Sequence, residues 1–180
     1  MNRLIIILLF LTSCTKPLLD DGWVRYSTAT HYTAHPYMVE TNDYVKVAFI
    51  PNSTWYYETE HNGWSKILGY SDGHHQQNSN RLVWQCRNNK LYAGYYMYIN
   101  GISPQYNTEQ KGTLLELKCD IKYTAEIYRK NSKYCIKLWN SDTTVMVEYP
   151  SGRNSIGYLL FPYVGGKYTI KDYYIDLKIY

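Results

Sequence analysis

The sequence predicts an all-β protein built as two antiparallel sheets stacked into a sandwich, and three observations carry that prediction. No segment sustains the apolar period of an amphipathic helix, short runs of alternating apolar and polar residues recur along the chain, and turn-forming Asn, Gly, Ser and Asp residues divide them. The runs amount to about twelve strands, a number that suits two stacked sheets.

Residues 1–13, MNRLIIILLFLTS, come first and are read apart from the fold. A short segment carrying Arg3 is followed by an unbroken apolar run from Leu4 to Leu11 and then by small polar residues, the layout of a secretory signal. As a helix, that run spans only about 12 Å of the roughly 30 Å of hydrocarbon that a transmembrane helix must cross. The run ends in Leu11-Thr12-Ser13-Cys14, which resembles the lipobox of bacterial lipoproteins. The resemblance implies cleavage before Cys14, acylation of Cys14 with a diacylglycerol on its thiol and a fatty acyl group such as palmitate on its new amino terminus, and a stable anchor in the bilayer, since two or more chains hold where one does not. The expected organisation is then a signal peptide at 1–13, an anchor and short linker at 14–22, and one β-sandwich domain at 23–180. Thr15-Lys16 carries no inner-membrane retention signal, so the expected location is the cell envelope, at the outer membrane.

Removing 13 of the 180 residues leaves 167, enough for one domain with a sizeable core. The net charge of +4 is small and its basic residues are scattered, which argues against nucleic acid as a partner. Twenty-two tyrosines and five tryptophans outnumber three phenylalanines, and rings with a polar edge suit both half-exposed strands and surfaces that bind sugars or proteins. Besides Cys14 there are Cys86, Cys119 and Cys135, so at most one bridge can form among them. They lack any C-x-x-C pair, so no metal site is expected, and they are read as small buried apolar residues. No motif calls for a cofactor.

Along the domain, Val45, Val47 and Phe49 alternate with Tyr44, Lys46 and Ala48. In "WYYETEH", Glu58 and Glu60 lie two apart, which on a strand places both carboxylates on one face about 6.5 to 7 Å apart, near the separation used in inverting glycoside hydrolysis. The stretch loosely resembles the E-x-D-x-E strand of a glycosidase group built on concanavalin-like folds, but Asn62 stands at the third carboxylate position. A hydrolytic pair and a solvated strand end both fit.

His74 and His75 follow Asp72-Gly73, a turn signal. Adjacent on an extended chain, the two rings would point to opposite sides, and Asp72 is the nearest carboxylate, so a solvated surface loop is expected. Next, "RLVWQC" and "KLYAGYYMYI" flank Asn88-Asn89, two residues that tolerate positive φ and fit a two-residue hairpin. Folding there sets Leu82 opposite Tyr95, Trp84 opposite Ala93 and Cys86 opposite Leu91 on an apolar face. The other face carries Arg81 opposite Tyr96, Val83 opposite Gly94 and Gln85 opposite Tyr92, with Gly94 expected to leave room above the sheet.

Leu115, Leu117 and Cys119 alternate with Glu116 and Lys118. A second hairpin, "KYTAEIYRK" to "KYCIKLWN" through Asn131-Ser132, pairs Ala125 with Leu138 and Ile127 with Ile136, and sets Glu126 against Lys137 on its polar face. The closing stretch "GYLLFPYVGGKYTIKDYYIDLKIY" alternates Tyr173, Ile175, Leu177 and Ile179 with Asp172, Tyr174, Asp176 and Lys178. Its aromatic-Pro-aromatic-x-Gly-Gly turn before a long strand is similar to the end of concanavalin-A-like jelly rolls, which implies that topology for the sandwich.

Arg81, Gln85, Tyr92, Tyr96 and Tyr98 form the candidate recognition face, with His74 and His75 close in sequence. Tyrosines stack on the apolar faces of sugars while arginine and glutamine fix hydrogen bonds, so a polysaccharide is the expected ligand, bound without catalysis. The inventory also resembles polysaccharide lyases of the alginate type, in residue types though not in spacing. That resemblance implies arginine and glutamine neutralising a uronate while tyrosine and histidine move the proton. An enzyme on this face would draw on His74, His75, Glu58 or Glu60. A structural module that binds another envelope protein, or a half-exposed sheet with no ligand, also fits these residues.

Overall fold

The computed structural model describes residues 18–19, 22–28, 40–41, 43–56, 63–103, 112–152, 157–164 and 173–180. Among them run thirteen strands: β1 (Leu18–Leu19), β2 (Trp23–Thr28), β3 (Glu40–Thr41), β4 (Tyr44–Ile50), β5 (Ser65–Ser71), β6 (Ser79–Arg87), β7 (Lys90–Tyr98), β8 (Thr113–Leu117), β9 (Tyr123–Lys130), β10 (Lys133–Trp139), β11 (Thr144–Pro150), β12 (Gly157–Leu160) and β13 (Tyr173–Ile179). They form two sheets, one of seven strands in the order β1-β2-β13-β4-β9-β10-β11 and one of six in the order β3-β12-β5-β6-β7-β8. Every pairing in both sheets is antiparallel. The fold is a jelly-roll β-sandwich of the concanavalin-A-like type.

Both expected hairpins form in the expected register. Asn88 and Asn89 have φ of 51° and 55°, and Asn131 and Ser132 have 51° and 57°. Positive φ at both central positions is what a type I′ turn needs to match the twist of its flanking strands. Asparagine reaches this region at little steric cost through its short polar side chain. Leu82 therefore faces Tyr95 and Trp84 faces Ala93, while Ile136 faces Ile127 and Lys137 faces Glu126.

The apolar faces of the two sheets meet in an aromatic core. Trp84 from β6 stacks on Trp55 at 4.7 Å and on Tyr173 of β13 at 5.6 Å, and Phe49 of β4 stacks on Tyr123 of β9 at 5.6 Å. Trp55 lies in a short 3-10 turn, Ser53–Trp55, capped by the Asn52 side chain, which accepts from the Thr54 N–H at 2.9 Å. Its indole N–H donates to the Tyr174 carbonyl at 2.9 Å, so the ring is buried with its polar atom satisfied. Each ring of this size buries roughly 150–250 Å², a gross contribution of about 4–6 kcal/mol before conformational entropy is set against it.

One detail departs from the sequence expectation, one lies in a strand that it did not place, and one agrees with it. The stretch read as anchor and linker, 14–22, supplies the two-residue strand β1, which pairs with Val24 and Trp23 of β2. Strand β5 does not alternate, because a bulge between Lys66 and Leu68 inserts one residue and shifts the faces. Cys86 and Cys135 are buried and Cys119 half-buried, all as free thiols.

Candidate functional site

The β6–β7 register decides which side chains share the outer face of the six-stranded sheet. Trp84 is fully buried toward the core, so Arg81, Val83 and Gln85 point the other way, opposite Tyr96, Gly94 and Tyr92. Strand β5 adds Lys66 opposite Val83 and Gly69 opposite Arg81. At Gly69 a Cβ would fall 2.8 Å from Arg81 Cγ and 2.3 Å from the Asn80 carbonyl, so glycine is what lets the arginine stem cross this strand.

The expected space above Gly94 is filled. A Cβ there would lie 2.7 Å from two carbons of the Trp64 six-membered ring, whose indole covers the glycine. This corrects the idea of an open face running the length of the hairpin. Gln85 and Tyr92 lie on one side of Trp64, with the Arg87 guanidinium 4.7 Å over the Tyr92 ring. Arg81, Tyr96 and Tyr98 lie on the other side, about 13 Å along the strand.

On that second side the site is denser than the sequence indicated. Lys66 Nζ stands 4.8 Å over the Tyr96 ring and 5.1 Å over the Tyr163 ring, and donates to the Trp64 carbonyl at 2.7 Å. Tyr163 is fixed there by a two-way backbone bridge with Lys66, at 2.7 and 3.1 Å. Tyr158 of β12 is placed by Ser71, whose Oγ accepts from the Tyr158 N–H at 3.0 Å. The Tyr96 and Tyr98 hydroxyls lie 3.3 Å apart. Arg81 sits among Tyr158, Tyr96, Tyr98 and Tyr163, and its Nε is buried without a hydrogen-bond partner.

Burial among phenol rings pushes the Arg81 guanidinium down to about 10, while burial first and the Arg81 charge second push Lys66 down to about 8. Both remain cationic at neutral pH. His75 is half-buried, and its pKa is lowered by burial, then by Arg81 and His74. Its Nδ1 is hydrogen-bonded to the Tyr158 hydroxyl at 2.8 Å.

The histidine pair corrects a second expectation. His74 is exposed, as a surface loop implies, but His75 turns into the site. The two rings stack at 4.9 Å because the chain curls, with Gln77 and Asn78 N–H groups both donating to the His74 carbonyl. Asp72 faces away from both. It is buried, accepts from the Tyr134 hydroxyl at 3.3 Å and lies 3.7 Å from Arg129 Nη1.

Of the residues picked out in the sequence, the structure thus gathers Arg81, Tyr96, Tyr98 and His75, and sets Gln85, Tyr92 and His74 apart. Cys14, Glu58 and Glu60 lie outside the described residues. Lys66, Tyr158, Tyr163 and Trp64 were missed, since they arrive from β5, β12 and the segments beside them, whose pairing no local pattern specifies. Among the described residues no group of three or more His, Cys, Asp or Glu could hold a metal ion, and no helix is long and apolar enough to cross a membrane. A shallow depression of about 470 Å³ lies elsewhere, over Lys122, Thr124 and Trp139 of the seven-stranded sheet.

No protein-family model matches the chain. No curated protein sequence matches it either. Its fold is similar to that of a functionally unknown protein from Saccharomyces cerevisiae, at 11% identity over 89% of this chain and 86% of that one, with a TM-score of 0.58. It is also similar to Bacteroides ovatus Xyloglucan PUL GH43B, at 13% identity over 88% of this chain and a TM-score of 0.55. A xylan beta-1,4-xylosidase from Bacillus halodurans C-125 matches at 8% identity over 88% of this chain, with a TM-score of 0.54. The chain spans 32% of the length of each of the last two. At these identities the likeness shows a shared β-sandwich and nothing of the chemistry.

Proposed function

We propose that this chain is a bacterial envelope lipoprotein, held in the outer membrane by acylated Cys14, whose β-sandwich binds a polysaccharide without catalysis. The ligand lies on the outer face of the six-stranded sheet. The observation that carries this reading is the cluster at Arg81, where four phenol rings surround a guanidinium whose Nε lacks a partner. Phenol rings supply apolar faces for sugar rings, and hydroxyls and cations supply directed hydrogen bonds around them. The sandwich shared with a xyloglucan-locus protein and a xylosidase adds support by analogy of fold only.

A glycan array covering neutral and acidic plant and bacterial polysaccharides tests the reading. Binding that falls when Tyr96 or Tyr98 is replaced by Ala supports it, and a blank array removes it. The anchor is tested separately: labelled palmitate should enter the wild-type protein in cells and fail to enter Cys14→Ala.

One observation favours a second reading, a polysaccharide lyase on the same face. The Tyr158 hydroxyl and His75 Nδ1 are 2.8 Å apart beside Arg81, within the reach required of a proton-transfer pair. Release of unsaturated chain ends, followed by ultraviolet absorbance, decides between the two. Its absence with every polysaccharide that the protein binds leaves the non-catalytic reading in place.

A further inference from the structure

We infer that the outer-face site selects an acidic saccharide, seating its carboxylate or sulfate between Lys66 and Arg81. This inference rests on the proposal that the face binds a glycan, and holds for a binder or a lyase alike.

Lys66 and Arg81 come from adjacent strands and converge on Tyr96, which lies opposite Arg81 in the sheet and under the Lys66 ammonium at 4.8 Å. Among the described residues neither has a carboxylate beside it. The ion pairs among the described residues are all elsewhere, on Arg25, Lys90, Arg129 and Lys133. What surrounds the two cations among the described residues is neutral: the ring faces of Tyr96 and Tyr163, the Trp64 carbonyl, and the phenols of Tyr98 and Tyr158.

Two like charges sunk into one aromatic patch repel each other and have lost hydration, which costs free energy unless an anion joins them. A fold that needed only packing at these positions would be served better by methionine or leucine. The guanidinium offers a planar fork suited to a carboxylate or sulfate, and its buried Nε awaits an acceptor. The ammonium supplies a point charge beside it. A neutral saccharide brings hydroxyls but no charge to this pair.

The test measures affinity of the intact protein for polygalacturonate and alginate (carboxylate), dextran sulfate (sulfate), and xylan backbone and xyloglucan (neutral), with inorganic sulfate alone as a further arm. Expected is at least ~10-fold tighter binding of one acidic class than of the neutral glycans, lost in Lys66→Met and Arg81→Met. The Arg81→Lys variant, which keeps the charge and loses the fork, should fall between. Melting curves confirm that each variant is folded, and Arg81→Lys carries the test if Arg81→Met is not.

The preference should survive in 1 M salt, where the Debye length is only about 3 Å and attraction to the exposed charges is screened. Replacing Lys46 and Lys137 on the opposite sheet by Met should leave it unchanged. Equal binding of neutral and acidic glycans would overturn the inference and leave the glycan reading standing. Acidic binding that ignores the Lys66 and Arg81 variants overturns it as well. No binding of any polysaccharide removes both, and binding of inorganic sulfate without any saccharide preference replaces the sugar with a simple anion site.

Discussion

The outer faces of the two sheets carry similar residue types, and both pair charges across strands, as Lys90 does with Glu116 at 3.2 Å on the six-stranded sheet, but they differ around Arg81. On the seven-stranded sheet, Arg25 forks onto Asp176 at 2.7 and 2.8 Å, Lys133 meets Glu148 at 2.9 Å, and Lys137 stands over the Trp139 ring at 5.3 Å. These groups are matched by anions or spread over exposed rings. On the six-stranded sheet, Lys66 and Arg81 sit among tyrosines, and among the described residues no anion joins them. Cross-strand neutralisation is how a sheet surface stays soluble and well registered. Two half-buried cations without a counter-ion among the described residues do neither, and the proposed anion site rests on that difference.

The strongest way to break this contrast is to remove both half-buried cations. Replacing Lys66 and Arg81 together by Met should weaken acidic glycan binding by roughly 1,000-fold, about 4 kcal/mol, as expected for two charge-assisted contacts. The double change Lys46→Met with Lys137→Met, measured by the same calorimetry, should alter affinity less than about twofold. Similar losses from both pairs would mean that overall charge, and not the site, governs binding.

Stability should move the opposite way to affinity. Burial lowers Lys66 from 10.5 to about 8 in the folded protein. Below pH 8 the amine is charged in both folded and unfolded chains and the fold bears the whole cost. Above 10.5 neither is charged and the cost is gone. Lys66→Met should therefore raise unfolding free energy at pH 7 by on the order of 2–3 kcal/mol. The gap between variant and wild type should narrow as pH rises from 8 to 10.5. Denaturant titrations of both proteins across that range check it. The same titration predicts weaker binding of an acidic glycan above about pH 8, as the ammonium is lost.

A smaller effect is expected at Gly94. Alanine there would press on the Gly112 carbonyl at 2.3 Å and the Trp64 ring at 2.7 Å, so Gly94→Ala should cost about 1–3 kcal/mol of stability by displacing the indole. Trp64 fluorescence and the melting temperature report it. Smallest of all should be Arg25→Ala on the paired face. This ion pair is partly exposed, and losing it should lower stability by no more than about 1 kcal/mol.

How much of this was legible in the sequence depends on how local the determining information is. The β6–β7 hairpin was readable because Asn88-Asn89 fixes the turn and the alternation of Leu82, Trp84 and Cys86 fixes the face. Those two constraints act within twenty residues, Ser79 to Tyr98, and agree on one register. Strand β5 was not readable, since its bulge breaks the alternation that would have placed Lys66 and Gly69. Trp64 over Gly94 was read as empty space, because a missing side chain does not say what fills its place. Tyr158 and Tyr163 reach the site only through pairings more than eighty residues apart, such as Ser71 with Tyr158. His75 was read as solvated with His74, because nothing in the local sequence shows that the backbone curls and turns its ring toward Tyr158.

The position of β13 sets a timetable for the whole molecule. It lies inside the larger sheet, hydrogen-bonded to β2 on one side and β4 on the other, so until residues 173–179 emerge from the ribosome the two flanking strands have no partner between them. Such long-range closure is slow. The larger sheet therefore stays open until this strand seats, and a truncation that spares the entire six-stranded sheet would still leave the opposite one split in two.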